Sequence, residues 1–153
     1  MVEALGIAAT CLELARVGID LYQVVQRFVD ARPKLKKVVD EIRRSSRLLS
    51  RLNEVFQDED SEESICQDGT LAQARSTLDD YREVFDELQV AVNKVLRGKN
   101  KDDVTKPISK WTVPRWLLKE PQIEYLTARL DRCMSDADRM LNILIYVRIK
   151  KSE

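Results

Sequence analysis

Residues 2–29, VEALGIAATCLELARVGIDLYQVVQRFV, are apolar around most of a helix, and this limits what the chain can become. At 100° per residue, Glu13, Arg16, Asp20, Gln23 and Arg27 fall on one narrow polar stripe. Ile7, Leu14, Leu21 and Phe28 form an apolar line flanked by Val17 and Val24. Ala4, Ala8, Cys11, Ala15 and Gly18 form a strip of small residues, and Leu5, Leu12 and Ile19 a third line. A helix apolar over so much of its circumference suits the centre of a fold, touching two or more partners, with the small strip admitting a neighbouring backbone closely. The competing reading is a membrane device. A lone span would bury Glu13, Arg16 and Asp20 at about 2.5–3.5 kcal/mol each. An oligomer that turns the polar stripe toward water, or shallow insertion of Val2 to Leu12 alone, avoids most of that cost. A signal peptide is not indicated, because no basic stretch precedes the apolar one and Glu3 and Glu13 interrupt it. No run of ~18 uncharged apolar residues is present.

Three further helical segments are expected. The first runs from Pro33 to Phe56, its face carried by Leu35, Val38, Val39, Ile42, Leu49, Leu52 and Phe56. The acidic stretch QDEDSEESICQDG then reads as a solvated loop. Thr70 with Gln73 reads as a capping box that opens the next helix, with Leu71, Ala74, Leu78, Tyr81, Phe85, Leu88, Val92 and Val95 on its face. Gly98 stands where a C-terminal cap is expected. A long connection with Trp111 and Trp116 leads to Pro121, which opens the last helix, faced by Ile123, Leu126, Leu130, Cys133, Ala137, Met140 or Leu141, Leu144 and Val147. The expected fold is all-α, an antiparallel four-helix bundle over residues 1–149. Residues 150–153 read as a tail leading to a following domain.

The 26 Lys+Arg balance the 26 Asp+Glu, which argues against a general nucleic-acid binder. Cys11, Cys66 and Cys133 are odd in number and widely spaced, the pattern of reduced thiols in a cytoplasmic protein rather than of disulfides or a zinc site. The chain has no histidine, no phosphate loop and no nucleophile motif. Asp79, Asp80, Glu83 and Glu87 read as solvated helix faces. No enzyme activity, cofactor, metal or small-molecule substrate is expected.

The charge is unevenly placed. Arg32, Lys34, Lys36, Lys37, Arg43, Arg44, Arg47 and Arg51 face only Asp40 and Glu41 within residues 32–51. This is a basic amphipathic helix, read either as a solvated face balanced by the acidic loop or as an anionic-lipid patch. In SKWTVPRWLLKEP, Trp111 and Trp116 stand among Lys110, Arg115 and Lys119, read as pins for a long loop or as interfacial membrane anchors.

Three segments carry a family resemblance. The start, MVEALGIAATCLELARVGIDLYQVVQRFVDARPKLKKVVDEIRRSSRLLSRL, joins an Ala/Gly/Val-rich helix to a charged helix ending in a leucine pair. DDYREVFDELQVAVNKVL and SKWTVPRWLLKEPQIEYLTARLDRCMSDADRMLNIL supply a third helix and a Lys-Trp loop followed by a leucine-rich final helix. In these segments the chain resembles the N-terminal domains of fungal STAND (NLR-like) receptors, in the HeLo and HeLo-like group. That group is similar to the four-helix bundle of the mixed lineage kinase domain-like protein. The resemblance implies a HeLo-like bundle beside a nucleotide-binding receptor domain. It also implies homo-oligomerisation on activation, and programmed cell death in heterokaryon incompatibility by membrane insertion of the N-terminal helix. On that reading Val2, Leu5, Ile7 and Leu12 are insertion candidates, and Lys34, Lys36, Lys37, Arg43, Arg44 and Arg47 anionic-lipid candidates. The chain is then cytoplasmic and membrane-associated when activated. The alternative is a non-lytic adaptor acting through homotypic or heterotypic helical contacts.

Overall fold

The computed structural model describes residues 2–30, 32–59, 68–95 and 112–152. They form four helices: α1 (Val2–Val25), prolonged by a 3₁₀ turn (Gln26–Phe28), α2 (Leu35–Glu59), α3 (Asp68–Val95) and α4 (Thr112–Ser152), with no strand among the described residues. The expected all-helical bundle is the observed architecture.

Its boundaries correct the sequence reading at four places. α1 gives way at Val25, not Val29. The tighter turn that follows carries Phe28 into the core at 2% exposure. Val29 N–H then donates to Gln26 O at 3.2 Å and Arg32 N–H to Phe28 O at 2.8 Å. Pro33 lies in the turn before α2, where its carbonyl accepts from Lys36 N–H at 3.1 Å. α3 begins at Asp68, so Thr70 lies inside the helix, and the Thr70/Gln73 pair does not mark its start. The preferences behind such a signal are small enough for packing to override, here the burial of Leu71 and Ala74.

The largest correction is at α4. It opens at Thr112, nine residues before Pro121, so Trp116 belongs to the helix and not to a connecting loop. Proline in a first turn removes an N–H that has no intrahelical partner anyway. Pro114 fills that position, and Pro121 is left inside the helix, where it costs a bond to the Leu117 carbonyl. Gly98 and Trp111 lie outside the described residues.

The core follows the predicted faces. Tyr81, Phe28, Phe56, Phe85, Ile42, Leu49 and Leu130 are among its fully buried large side chains. The small strip of α1 is buried throughout, with Ala4, Ala8, Cys11 and Ala15 at 0–3% exposure. At Gly18 the approach is closest, since a Cβ there would lie 2.1 Å from Ser46 Oγ and 3.4 Å from Phe85 Cζ. α1 packs on α2 and α3, and α4 packs on the same two helices. Among the described residues α1 and α4 make no close backbone approach, and neither do α2 and α3. The latter pair meets only through the core, where Tyr81 O–H donates to Ser45 Oγ at 3.4 Å.

Candidate functional site

α2 is amphipathic in the simplest way. Val38, Ile42, Ser45, Leu49, Leu52 and Phe56 face the core, and the opposite side is exposed. That outer side carries Lys36, Lys37, Arg43, Arg44, Arg47 and Arg51, with Asp40 and Glu54 as the exposed acids among the described side chains of α2, while Asp131 and Asp138 of α4 line a groove beside Arg44, Arg47 and Arg51. None of the six cations has a carboxylate within ion-pair distance among the described residues. Arg43 lies over the Tyr22 ring of α1, its guanidinium carbon 5.9 Å from the centroid. A dense array of unpaired cations on one rigid helix is a surface suited to a multivalent anion.

Beside it runs an apolar edge of α1. Leu5 is 49% and Ile19 46% exposed, and Leu12 between them is half-buried. These three stand about 60–100° around α1 from Tyr22, the residue under Arg43, whereas Glu13 is about 180° from it and pairs with Arg82 of α3 at 3.4 Å. The apolar edge therefore flanks the α2 side of α1, next to the basic face.

Lys34 behaves differently from the other predicted cations. It and Arg32 both pair with Glu120 of α4, Lys34 Nζ at 2.9 Å. Hydrogen bonds from Lys34 and then Arg32 hold the Glu120 carboxyl below its ordinary pKa. The three clamp residues line a cleft of about 440 Å³ between the start of α2 and α4, together with Leu35, Val38 and Ile123.

Of the insertion candidates, Leu5 is exposed and Leu12 partly so, but Ile7 is 4% exposed and part of the core. The Val2 and Trp116 side chains and all of Trp111 lie outside the described set. The sequence reading left Ile19 and Arg51 out of the site. Their signal was periodic: Ile19 continues the Leu5–Leu12 step of seven, and Arg51 the Arg43–Arg47 step of four. It also missed Glu41, which is 6% exposed between α2 and α4 with Oε2 unpartnered. Burial, then Asp131, raise its pKa against the opposing pull of Lys37 and Arg44.

Cys11 and Cys133 are free and buried, and burial pushes their thiols up to about 12 and about 11, so neither is poised as a nucleophile. No group of His, Cys, Asp or Glu that would hold a metal occurs among the described residues. Nor does any helix among them have the length and apolarity to cross a membrane. Set against protein-family models, curated proteins and solved structures, the chain has no match.

Proposed function

We propose that this chain is a helical signalling and effector module that works at anionic membrane surfaces, as its resemblance to HeLo-like N-terminal domains implies. The observation that carries the reading is the apolar edge Leu5–Leu12–Ile19 lying alongside the unpaired cations of α2. Each Lys or Arg near an anionic leaflet contributes about 1 kcal/mol of attraction. The half-exposed aliphatics each add a fraction of the roughly 1.5–3 kcal/mol of full burial. Peripheral docking through α1 and α2 thus needs no unfolding. Deeper insertion through Ile7 requires α1 to leave the core, and is the activated step of the same scheme. Homo-oligomerisation on activation, a neighbouring nucleotide-binding receptor domain and a cytoplasmic resting location belong to this reading.

The reading takes the helices as alternating in direction. Gly18 against Ser46 and Tyr22 against Arg43 pair α1 with α2 in opposite senses. Arg129 lies against Glu83 and Glu87, and Lys34–Glu120 together with Arg148–Val55 run α2 and α4 in one sense.

The test is flotation with phosphatidylcholine vesicles with and without phosphatidylserine, followed by dye leakage. Binding should require the anionic lipid and fall at least tenfold in Arg43→Glu/Arg47→Glu. Leu5→Asp/Ile19→Asp should bind more weakly and release less dye. Equal binding to neutral and anionic vesicles would sink the proposal.

A non-lytic adaptor is the second reading. It is favoured by exposed apolar side chains along α4, Leu118 at 82% and Tyr125 and Tyr146 at 61% each, which suit a helical partner. A stable protein complex without any vesicle binding would select it.

A further inference from the structure

The charge of this chain is balanced in total but separated in space. The outer side of α2 is basic, as described. The outer side of α3 is acidic, with Asp79, Asp80, Glu83 and Asp86 exposed and Glu87 half-buried. Over the whole of α3 six acids stand against Arg75, Arg82 and Lys94. Arg129 of α4 holds Glu83 at 3.3 Å and Glu87 at 2.8 Å. Asp79, Asp80 and Asp86 have no ion pair among the described residues.

These two faces point in opposite directions. α2 and α3 occupy the diagonal of the bundle, joined through its centre by the Tyr81–Ser45 hydrogen bond. Arg47 follows Ser45 by two residues and Glu83 follows Tyr81 by two. Each thus lies about 160° around its helix from the core contact. The basic face, the hydrogen bond and the acidic face therefore lie in that order across one molecule. The two faces also match in length. Arg43 to Arg51 and Asp79 to Glu87 each span eight residue steps, about 12 Å of helix.

We infer that copies of this chain stack head to tail, the α2 outer face of one on the α3 outer face of the next. A two-fold dimer cannot satisfy both faces, because they are back to back. One contact leaves a basic face free at one end and an acidic face at the other. The contact is heterologous and continues as a ring or an open row of copies. The inference rests on the homo-oligomerisation in the proposed function and deepens it by naming the two faces, and it shares α2 with the membrane contact: a copy applies its arginines to a neighbour or to lipid.

The experiment is sedimentation of the full chain at high protein concentration, from about 0.01 M to about 1 M salt, where the screening length falls from about 30 Å to about 3 Å. The average mass should exceed twice the chain mass at low salt and return to that of a single chain at high salt. Arg43→Glu/Arg47→Glu/Arg51→Glu and Asp79→Lys/Asp80→Lys/Asp86→Lys should each stay monomeric alone. Mixed in equal amounts they should assemble, since the acidic α3 of the first fits the basic α2 of the second; this rescue also shows that both are folded. A species that stops at two copies, assembly indifferent to salt, or assembly by the α3 variant alone would overturn the inference. Vesicle flotation separates the two proposals. The α3 variant should still bind anionic vesicles, so loss of stacking with retained lipid binding fails neither. A wild-type chain that binds vesicles but never stacks overturns this inference only, and one that stacks but ignores anionic lipid overturns the membrane reading only.

Discussion

At Gly18 a single hydrogen decides how closely α1 and α2 approach. An added Cβ would lie 2.1 Å from Ser46 Oγ, whereas Ser46 Cβ is 3.4 Å away, an ordinary contact. Ala in place of Gly in a helix gains up to about 1 kcal/mol, and overpacking costs about 1–3 kcal/mol. Gly18→Ala should therefore lower stability in the wild-type chain but raise it in a Ser46→Ala background. Ser46→Ala by itself removes a buried hydroxyl that has no partner, and should cost little. A chemical-denaturation cycle over the four proteins reads the change of sign directly. Glu41 offers a second residue-scale prediction, through pH. Its pKa is raised in the folded state by burial and by Asp131, with Lys37 and Arg44 pulling the other way. The folded chain thus holds this proton more tightly than the unfolded one. Its stabilising contribution is complete below the unfolded value of about 4.5 and is lost as pH rises through the folded value. Glu41→Gln should raise Tm at pH 7 by about 3 °C, roughly 1 kcal/mol, and by less at pH 4. An equal effect at both pH values would show that the carboxylate is not strained.

α4 departs furthest from what its sequence suggests, at its N-terminal end. α4 continues through Pro121, which lacks the N–H its helix needs, while Glu120 just before it holds Arg32 and Lys34. Pro121→Ala should add about 1–3 kcal/mol, measured by urea unfolding, because the replacement restores a helix bond where the chain is already helical. Glu120 has a lowered pKa in the fold, so the clamp contributes above about pH 4.5 and is lost as pH falls through the lowered value. Glu120→Gln should speed amide exchange in the first turn of α2 at pH 7, and the difference from wild type should shrink on acidification. The small strip of α1 is the other element-scale feature. Ala8 and Ala15 are each 1% exposed, so Ala8→Leu or Ala15→Leu should cost about 1–3 kcal/mol by overpacking. Unchanged thermal stability in both would mean that this strip is not a tight packing face. The periodic faces of α2, α3 and α4 were legible because burial leaves a 3.6-residue imprint. The helix ends were not, because Thr70, Pro33 and Pro121 carry start signals worth less than the packing of the residues around them.

At the scale of the whole molecule, four helices place their charge so that the bundle has a basic side, an acidic side and an apolar edge of α1. A chain with equal numbers of cations and anions would otherwise have weak long-range fields. Vesicle binding and self-association should therefore both weaken steeply with salt, whereas thermal stability, which rests on the aliphatic and aromatic core, should change little. Melting curves and flotation run over the same salt series check this contrast. The sequence by itself determined that this chain is helical, which residues of α2, α3 and α4 enter its core, and that α2 carries an excess of cations on the face away from that core. Those properties are periodic along the chain and need no knowledge of neighbours. It did not determine that Ile7 is buried while Leu5 and Ile19 are exposed. α1 is apolar over so much of its surface that only the positions of α2 and α3 select its inner side. Nor did it determine which cations remain unpaired. Lys34 and Arg32 find Glu120 some ninety residues away, while Arg43, Arg44, Arg47 and Arg51 form no ion pair among the described residues although Asp131 and Asp138 of α4 share a groove with the last three, and such distant pairing exists only once the helices are packed. The opposition of α2 and α3 across Ser45 and Tyr81 is likewise a product of packing order, which spacing along a chain does not encode.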